Sequence, residues 1–270
     1  MTSIPHSNRH IDLDGAVNIR DLGGYPTSDG RSVCWKTILR ADNVGELPPE
    51  SQDVLTTYGV RTVIDLRRNR QIEERGNVFS ESPHVNFYHQ PMLSDETPEE
   101  IAASSEVARD WFRQMEELEG HPLRAATYCM WLDTRQEALR KTLSTLAAPG
   151  TLPALFHCHA GKDRTGIMAI LVLGIAGVRD KTIVEDYELS ANYRWRASLD
   201  ERSGSKFHEN ASPEDLDATG YEARRKASPA ESMCAVLEYL KERYGGIEDY
   251  VREIGVTDGE SAVLRTALVE

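Results

Sequence analysis

The chain has 270 residues, 40% hydrophobic and 28% charged content, and a formal charge of -13. At roughly 100 to 200 residues per domain this is one large domain or one and a half, and the composition excludes collagenous, disordered and mucin-like chains. The acidic balance argues against a nucleic-acid partner, which would be met by a basic face.

In chain order, residues 1 to 20 carry Asp12, Asp14 and Arg20 and no apolar run, so no secretory leader is read there and the expected location is cytoplasmic. Gly23 to Arg40 sets strand-like residues on either side of Asp29-Gly30, a dipeptide suited to a tight hairpin turn. Leu47 to Tyr58 reads as a helix, with Pro48 or Pro49 in its first turn and Gly59 as its stop. Val60 to Leu66 (VRTVIDL) predicts a buried strand leading to Arg67, Arg68 and Arg70, and His84 to Met92 a further strand. Thr134 with Glu137 looks like a cap opening a helix that carries Leu139, Leu143 and Leu146 on one face and stops at Pro149-Gly150.

Leu152 to His157 (LPALFH) is too short for an independent helix and predicts a central strand. Thr165 to Val178 is apolar nearly all round, as in a helix buried on most sides. The run of apolar residues and glycines that contains it starts at Gly166 and falls short of the ~20 residues of a membrane-spanning helix. Capping boxes at Ser228 with Glu231 and Thr257 with Glu260 mark helices near the C-terminus. Helices alternating with short β-rich runs favour an α/β sandwich around a mostly parallel sheet. Two charged, irregular stretches, at about 94–132 and 195–227, read as insertions at the sheet's rim rather than core elements. Within the first, residues 94 to 120 hold nine carboxylates against Arg109 and Arg113.

Cys34, Cys129, Cys158 and Cys234 form no CxxC pair, so neither a disulfide scaffold nor a sequence-local zinc site is indicated. Cys158 stands in His157 to Gly166, HCHAGKDRTG, placed after a predicted strand and opening a predicted helix. A loop wrapping into a helix N-terminus converges backbone N–H groups from His159, Ala160, Gly161, Lys162, Thr165 and Gly166 on one anion, reinforced by the helix dipole. Gly161 lets the backbone close tightly. The planar Arg164 guanidinium binds two phosphate oxygens as a fork, which a lysine ammonium does not reproduce.

The same field favours the Cys158 thiolate, a nucleophile toward phosphorus. Asp163 is the first candidate for general acid, then base, and Asp65 the second. Thr165 can donate a hydrogen bond to the sulfur, and His157 orders the loop from behind. The chemistry requires no metal and no cofactor. Sulfur transfer or arsenate reduction by the same thiolate, and non-catalytic binding of a phosphorylated ligand, are the rival readings.

HCHAGKDRTG, with NIRDLGGY (Asn18 to Tyr25), VIDLR (Val63 to Arg67) and GGIEDYVREIGV (Gly245 to Val256), resembles the bacterial atypical tyrosine phosphatases of the cysteine-dependent superfamily. The resemblance covers nearly the whole chain. It implies the phosphatase-type α/β fold, a mostly parallel central sheet flanked by helices, in one domain over 1–270 with helical lid-like insertions. It also implies hydrolysis of phosphotyrosine in a protein or peptide, and in many relatives of phosphoserine, phosphothreonine and phosphoinositide lipid. A phosphoinositide-preferring phosphatase is the alternative. By the same resemblance Asp163 is the acid, Arg20 lies near the pocket and Lys162 is linked to inositol phosphates. His159 departs from the Phe, Thr or Lys of relatives and leaves substrate preference open.

Overall fold

Strands with apolar side chains on both faces are stable only where helices cover both sides of a sheet, and that is how this chain folds. A computed structural model describes residues 9–203 and 229–270, without the side chains of 195–203. Five strands, β1 (Arg20–Asp21), β2 (Ile38–Ala41), β3 (Thr62–Asp65), β4 (Asn86–His89) and β5 (Ala154–His157), form one sheet in the order β1-β2-β5-β3-β4. Every neighbouring pair is parallel except β1 and β2. The last strand in sequence is therefore the central one. In register, Ala41 and Asp65 flank His157, so the chain leaves β5 between the carboxyl ends of β2 and β3, where open α/β sheets place ligands.

Eleven helices are present among the described residues: α1 (Pro49–Tyr58), α2 (Asn69–Arg75), α3 (Pro98–Ser104), α4 (Glu106–Met115), α5 (Gly120–Thr134), α6 (Gln136–Ala147), α7 (Asp163–Ile175), α8 (Asp180–Ser203), α9 (Ala230–Tyr244), α10 (Ile247–Glu253) and α11 (Asp258–Leu268). The period-two alternation of the strands divides the core. Leu39, Leu155 and Val63 are register neighbours and join one cluster with Leu55 of α1, while Phe156 and Ile64 join the larger cluster with α6, α7 and α9. α7 is buried from Thr165 to Leu173 at every residue, as its apolar pattern predicts. α1 ends where Gly59 takes φ 115°, a left-handed conformation in which its N–H meets the carbonyls of Leu55 and Thr56. No helix among the described residues is long and apolar enough to cross a membrane.

Three expectations differ from the structure. Asp29-Gly30 does form the turn of a hairpin, with the Thr27 N–H 2.9 Å from the Arg31 carbonyl and the Val33 N–H 2.9 Å from the Tyr25 carbonyl, but its arms pair over a few residues only, around the bridge of Pro26 with Ser32. Thr134 does not cap α6. It ends α5, donating its hydroxyl back to the Met130 carbonyl at 2.6 Å, and Arg135 separates the two helices. Residues 94–132 are not all rim. They form α3 to α5, and Ala125, Tyr128, Cys129, Met130 and Leu132 of α5 are buried. Asp133 ties α4 and α9 to α5 by accepting from Trp111 at 2.8 Å, Tyr239 at 2.8 Å and Tyr244 at 2.7 Å. Ser228 and most of the 195–227 stretch lie outside the described residues. The Thr257 and Glu260 capping box is present at α11.

Candidate active site

β5 delivers Cys158 to the base of a loop that becomes α7 at Asp163, and Cys158 is 2% exposed. Four consecutive loop carbonyls are held from outside. The Nδ1–H of buried His157 donates to Cys158 O at 3.2 Å, and the Asn43 N–H to His159 O at 3.1 Å. Ala160 O accepts from Asn18 Nδ2 at 3.1 Å and from Arg194 at 3.3 Å, and Gly161 O from Arg40 Nη2 at 2.9 Å. In a planar trans peptide the N–H points opposite its carbonyl. The amides of residues 159 to 162 are thereby turned away from those partners and toward the loop's interior. Gly161, at φ 64°, is required twice over, because a Cβ there would lie 2.5 Å from the Asp42 nitrogen. One edge of the Arg164 guanidinium is held by Gln71 of α2 at 2.9 Å and by the Leu66 carbonyl at 3.4 Å.

A ring of inward amides at a helix N-terminus, between a cysteine and an arginine six positions on, is an oxyanion cradle with a nucleophile at its base. Residues 11–270 match the model of a family described as tyrosine phosphatases. The chain belongs to the tyrosine phosphatase family. It is 30% identical to a tyrosine-protein phosphatase of Nostoc commune, over 91% of this chain and 81% of that protein. It is 26% identical to the triple specificity protein phosphatase PtpB of Mycobacterium tuberculosis, over 96% of this chain and 98% of that one.

In this phosphatase the second candidate acid is in the wrong place. Asp65 is fully buried and accepts from Arg67 Nη2 at 2.7 Å and from Asn77 at 2.9 Å, with His157 Nε2 at 3.4 Å. Burial pushes its pKa up, but His157 and Arg67 overcome that and hold it well below the usual carboxylate range. A carboxylate locked ionised and away from solvent is an anchor for the loop, not a proton donor to substrate. Arg67 is buried in the same network.

Arg20 is also buried, one residue removed from the loop through Asn18. It pairs with Asp186 of α8 at 2.9 Å and donates to Asn18 Oδ1 at 2.6 Å. Asp186 binds Arg40 as well, at 2.5 Å. Burial disfavours its charge, yet the two arginines hold its pKa well below normal, whereas burial and the neighbouring Arg20 bring Arg40 down to about 10. Asn18, Arg40 and Asp186 thus position two of the four loop carbonyls. Asn18 was visible within the NIRD motif, but Arg40 and Asp186 carry no local signal.

Asp163, one-third exposed, has Lys162 Nζ 3.4 Å from Oδ1, and the same oxygen accepts a short hydrogen bond from Tyr128 of α5. Burial lowers the Lys162 pKa and Asp163 opposes the shift. Thr165 directs its hydroxyl at the Ala41 carbonyl, 3.4 Å away, so its single proton is not aimed at the sulfur in this conformation. Gly166 lacks a side chain where a Cβ would come within 3.3 Å of the Tyr187 ring. His159 is exposed, and burial of part of its ring, then Arg164 and Arg194, lower its pKa. Burial lowers the Arg68 pKa, as do Arg70 and Arg164, with Asp95 opposing.

Proposed function

We propose that this phosphatase hydrolyses phosphomonoesters through a phosphocysteine on Cys158. The observation that carries the reading is the set of four outward-pinned carbonyls, which preorganises the amides of residues 159 to 162 around a phosphoryl group. The Cys158 sulfur forms a bond to phosphorus as the ester P–O bond breaks. Asp163 gives its proton to the departing oxygen, and Arg164 forks two of the remaining oxygens. In the second step Asp163 takes a proton from water, the water oxygen bonds to phosphorus, and the thiolate leaves.

The preferred substrate is phosphotyrosine in a protein or peptide, with phosphoserine, phosphothreonine and phosphoinositide lipid as further substrates. The relative named for triple specificity supports that breadth, and the half-buried Lys162 beside the cradle offers a cation for an inositol phosphate. We read residues 1–270 as one catalytic domain, and the segments 94–132 and 195–227 as its lid. Tyr128 of α5, within the first of these segments, contacts Asp163 and supports that reading. The nucleophile must stay reduced, and the four cysteines are free, which suits the cytoplasm.

A chromogenic aryl phosphate at pH 5 to 7 tests this directly. The parent should release phosphate and Cys158→Ser should release none while still binding inorganic phosphate. No release by the parent would favour sulfur transfer or arsenate reduction, and activity near the parent level in the variant would remove Cys158 as nucleophile. A panel of phosphotyrosine, phosphoserine and inositol phosphates then ranks the substrates.

A further inference from the structure

The general acid is served by a chain of donors that the loop signature does not contain. Tyr128 and Tyr187 are 1% and 0% exposed, and their hydroxyls lie 2.9 Å apart. Their rings meet edge to face with centroids 6.2 Å apart. Tyr128 donates to Asp163 Oδ1. An ionised carboxylate has no proton to give, and a phenol has only one. With the Tyr128 proton spent on Asp163, the contact between the two phenols can be made only by Tyr187 donating to Tyr128. Tyr187 in turn is hydrogen-bonded by Arg124, which has no lone pair to offer and so donates. With Asp163 ionised, the donors run in one direction: Arg124, Tyr187, Tyr128, Asp163.

We propose that Tyr128, backed by Tyr187 and Arg124, is the positioning residue of the general acid: it fixes Asp163 by one oxygen and leaves Oδ2 to carry the transferable proton. The inference rests on Asp163 being the acid. Burial followed by the Asp163 charge holds the Tyr128 phenol well above its ordinary pKa, so it remains a donor throughout the working range. Donors in series polarise one another, and the last of them is stronger than an isolated phenol.

Lys162 approaches the same Oδ1, so both fixed contacts fall on one oxygen and the other is directed elsewhere. The charged and titratable groups facing the carboxylate are Tyr128 and Arg124 of α5, Tyr187 of α8, and Lys162 of the loop, with Arg194 of α8 and the adjoining Arg164 in the same field. The dyad also has a fixed seat. Tyr187 packs over Gly166, which keeps the relay registered to α7 and hence to Asp163 itself.

The test compares an alkyl phosphate, whose departure needs a proton, with an aryl phosphate, whose departure needs one far less. It follows kcat/KM for both substrates in the parent, Tyr128→Phe, Tyr187→Phe and Asp163→Asn. Tyr128→Phe keeps the ring and removes the hydrogen bond that fixes the carboxylate, so the ratio of alkyl to aryl kcat/KM should fall by about tenfold. Tyr187→Phe should move it the same way by less, and it carries the test if Tyr128→Phe fails to fold.

A ratio that stays in place, with both substrates slowed equally, would show Tyr128 to be packing only and overturn the proposal. Asp163→Asn separates the two levels. If it leaves the ratio of alkyl to aryl rates unchanged, the acid assignment fails and the relay with it. A changed ratio in Asp163→Asn with an unchanged ratio in both tyrosine variants sinks the relay alone.

Discussion

Arg40 Nη2 lies 2.9 Å from the carbonyl oxygen of Gly161, and the arginine that makes this contact is itself buried against Asp186. The cradle is thus braced by a charge that never meets substrate. Replacing it tests whether amide orientation limits binding. Arg40→Met should orphan the Gly161 carbonyl at a cost of about 1–3 kcal/mol in urea unfolding. It should also weaken competitive inhibition by inorganic phosphate by roughly tenfold, the equivalent of about 1.4 kcal/mol. An unchanged inhibition constant in a destabilised variant would confine Arg40 to the core.

Gly161→Ala strikes the same peptide from the other side. The left-handed φ alone costs an alanine about 1–2 kcal/mol, and the new Cβ would lie 2.5 Å from the Asp42 nitrogen and 2.7 Å from the Ala41 carbonyl, both backbone atoms with little freedom to move. Gly30 is the control. It has φ 90°, and an added Cβ meets nothing within 4 Å, so Gly30→Ala should show the conformational cost without the collision. Thermal unfolding with an aryl phosphate assay should find Gly30→Ala mildly destabilised and fully active per folded molecule, and Gly161→Ala crippled in both respects. Equal effects would mean that the close approach to β2 is not limiting.

What the sequence made legible follows from range. Cys158, Gly161, Asp163 and Arg164 are one contiguous turn, so their chemistry is set by local spacing, and VIDL and LPALFH read as strands because a doubly covered strand needs apolar residues at every position. The braces were not legible. Arg20 and Asp186 are 166 positions apart and Tyr128 and Asp163 are 35 apart, separations bridged only by strand order and helix packing. α5 was misjudged for a related reason. Its flanks in α3 and α4 are acidic and exposed, which masks the short buried stretch from Ala125 to Leu132. Thr134 misled because a threonine hydroxyl serves equally as a cap or as a partner of the carbonyl four residues earlier.

Asp65 and Asp163 are both carboxylates near the loop, and their variants should separate cleanly. Asp65→Asn strips the Arg67 guanidinium of its buried counterion and should cost about 3–5 kcal/mol of stability. The dependence of rate on leaving-group basicity should remain that of the parent, since Asp65 does not face substrate. Chemical denaturation and a series of aryl phosphates of graded basicity provide the two measurements. A steeper leaving-group dependence in Asp65→Asn would return it to the list of acids and displace Asp163.

Asp186 predicts a pH dependence whose sign is fixed by its two arginines. Its folded pKa is depressed below the value of about 3.9 for an unperturbed aspartate. The stability it contributes is therefore complete above that value and is lost as the pH falls toward the folded one. Asp186→Asn should be less stable than the parent by about 3–5 kcal/mol at pH 7, because both guanidinium groups lose a buried counterion. The gap should stay constant down to about pH 4 and then narrow as the unfolded parent takes up a proton at Asp186 that the folded one does not. Asp65 titrates in the same acid range in both proteins and cancels from the difference. Urea unfolding of the pair at pH 7, 5, 4 and 3 gives the measurement. A gap that persists undiminished at the lowest pH would mean that Asp186 braces the loop through shape and hydrogen bonding rather than charge.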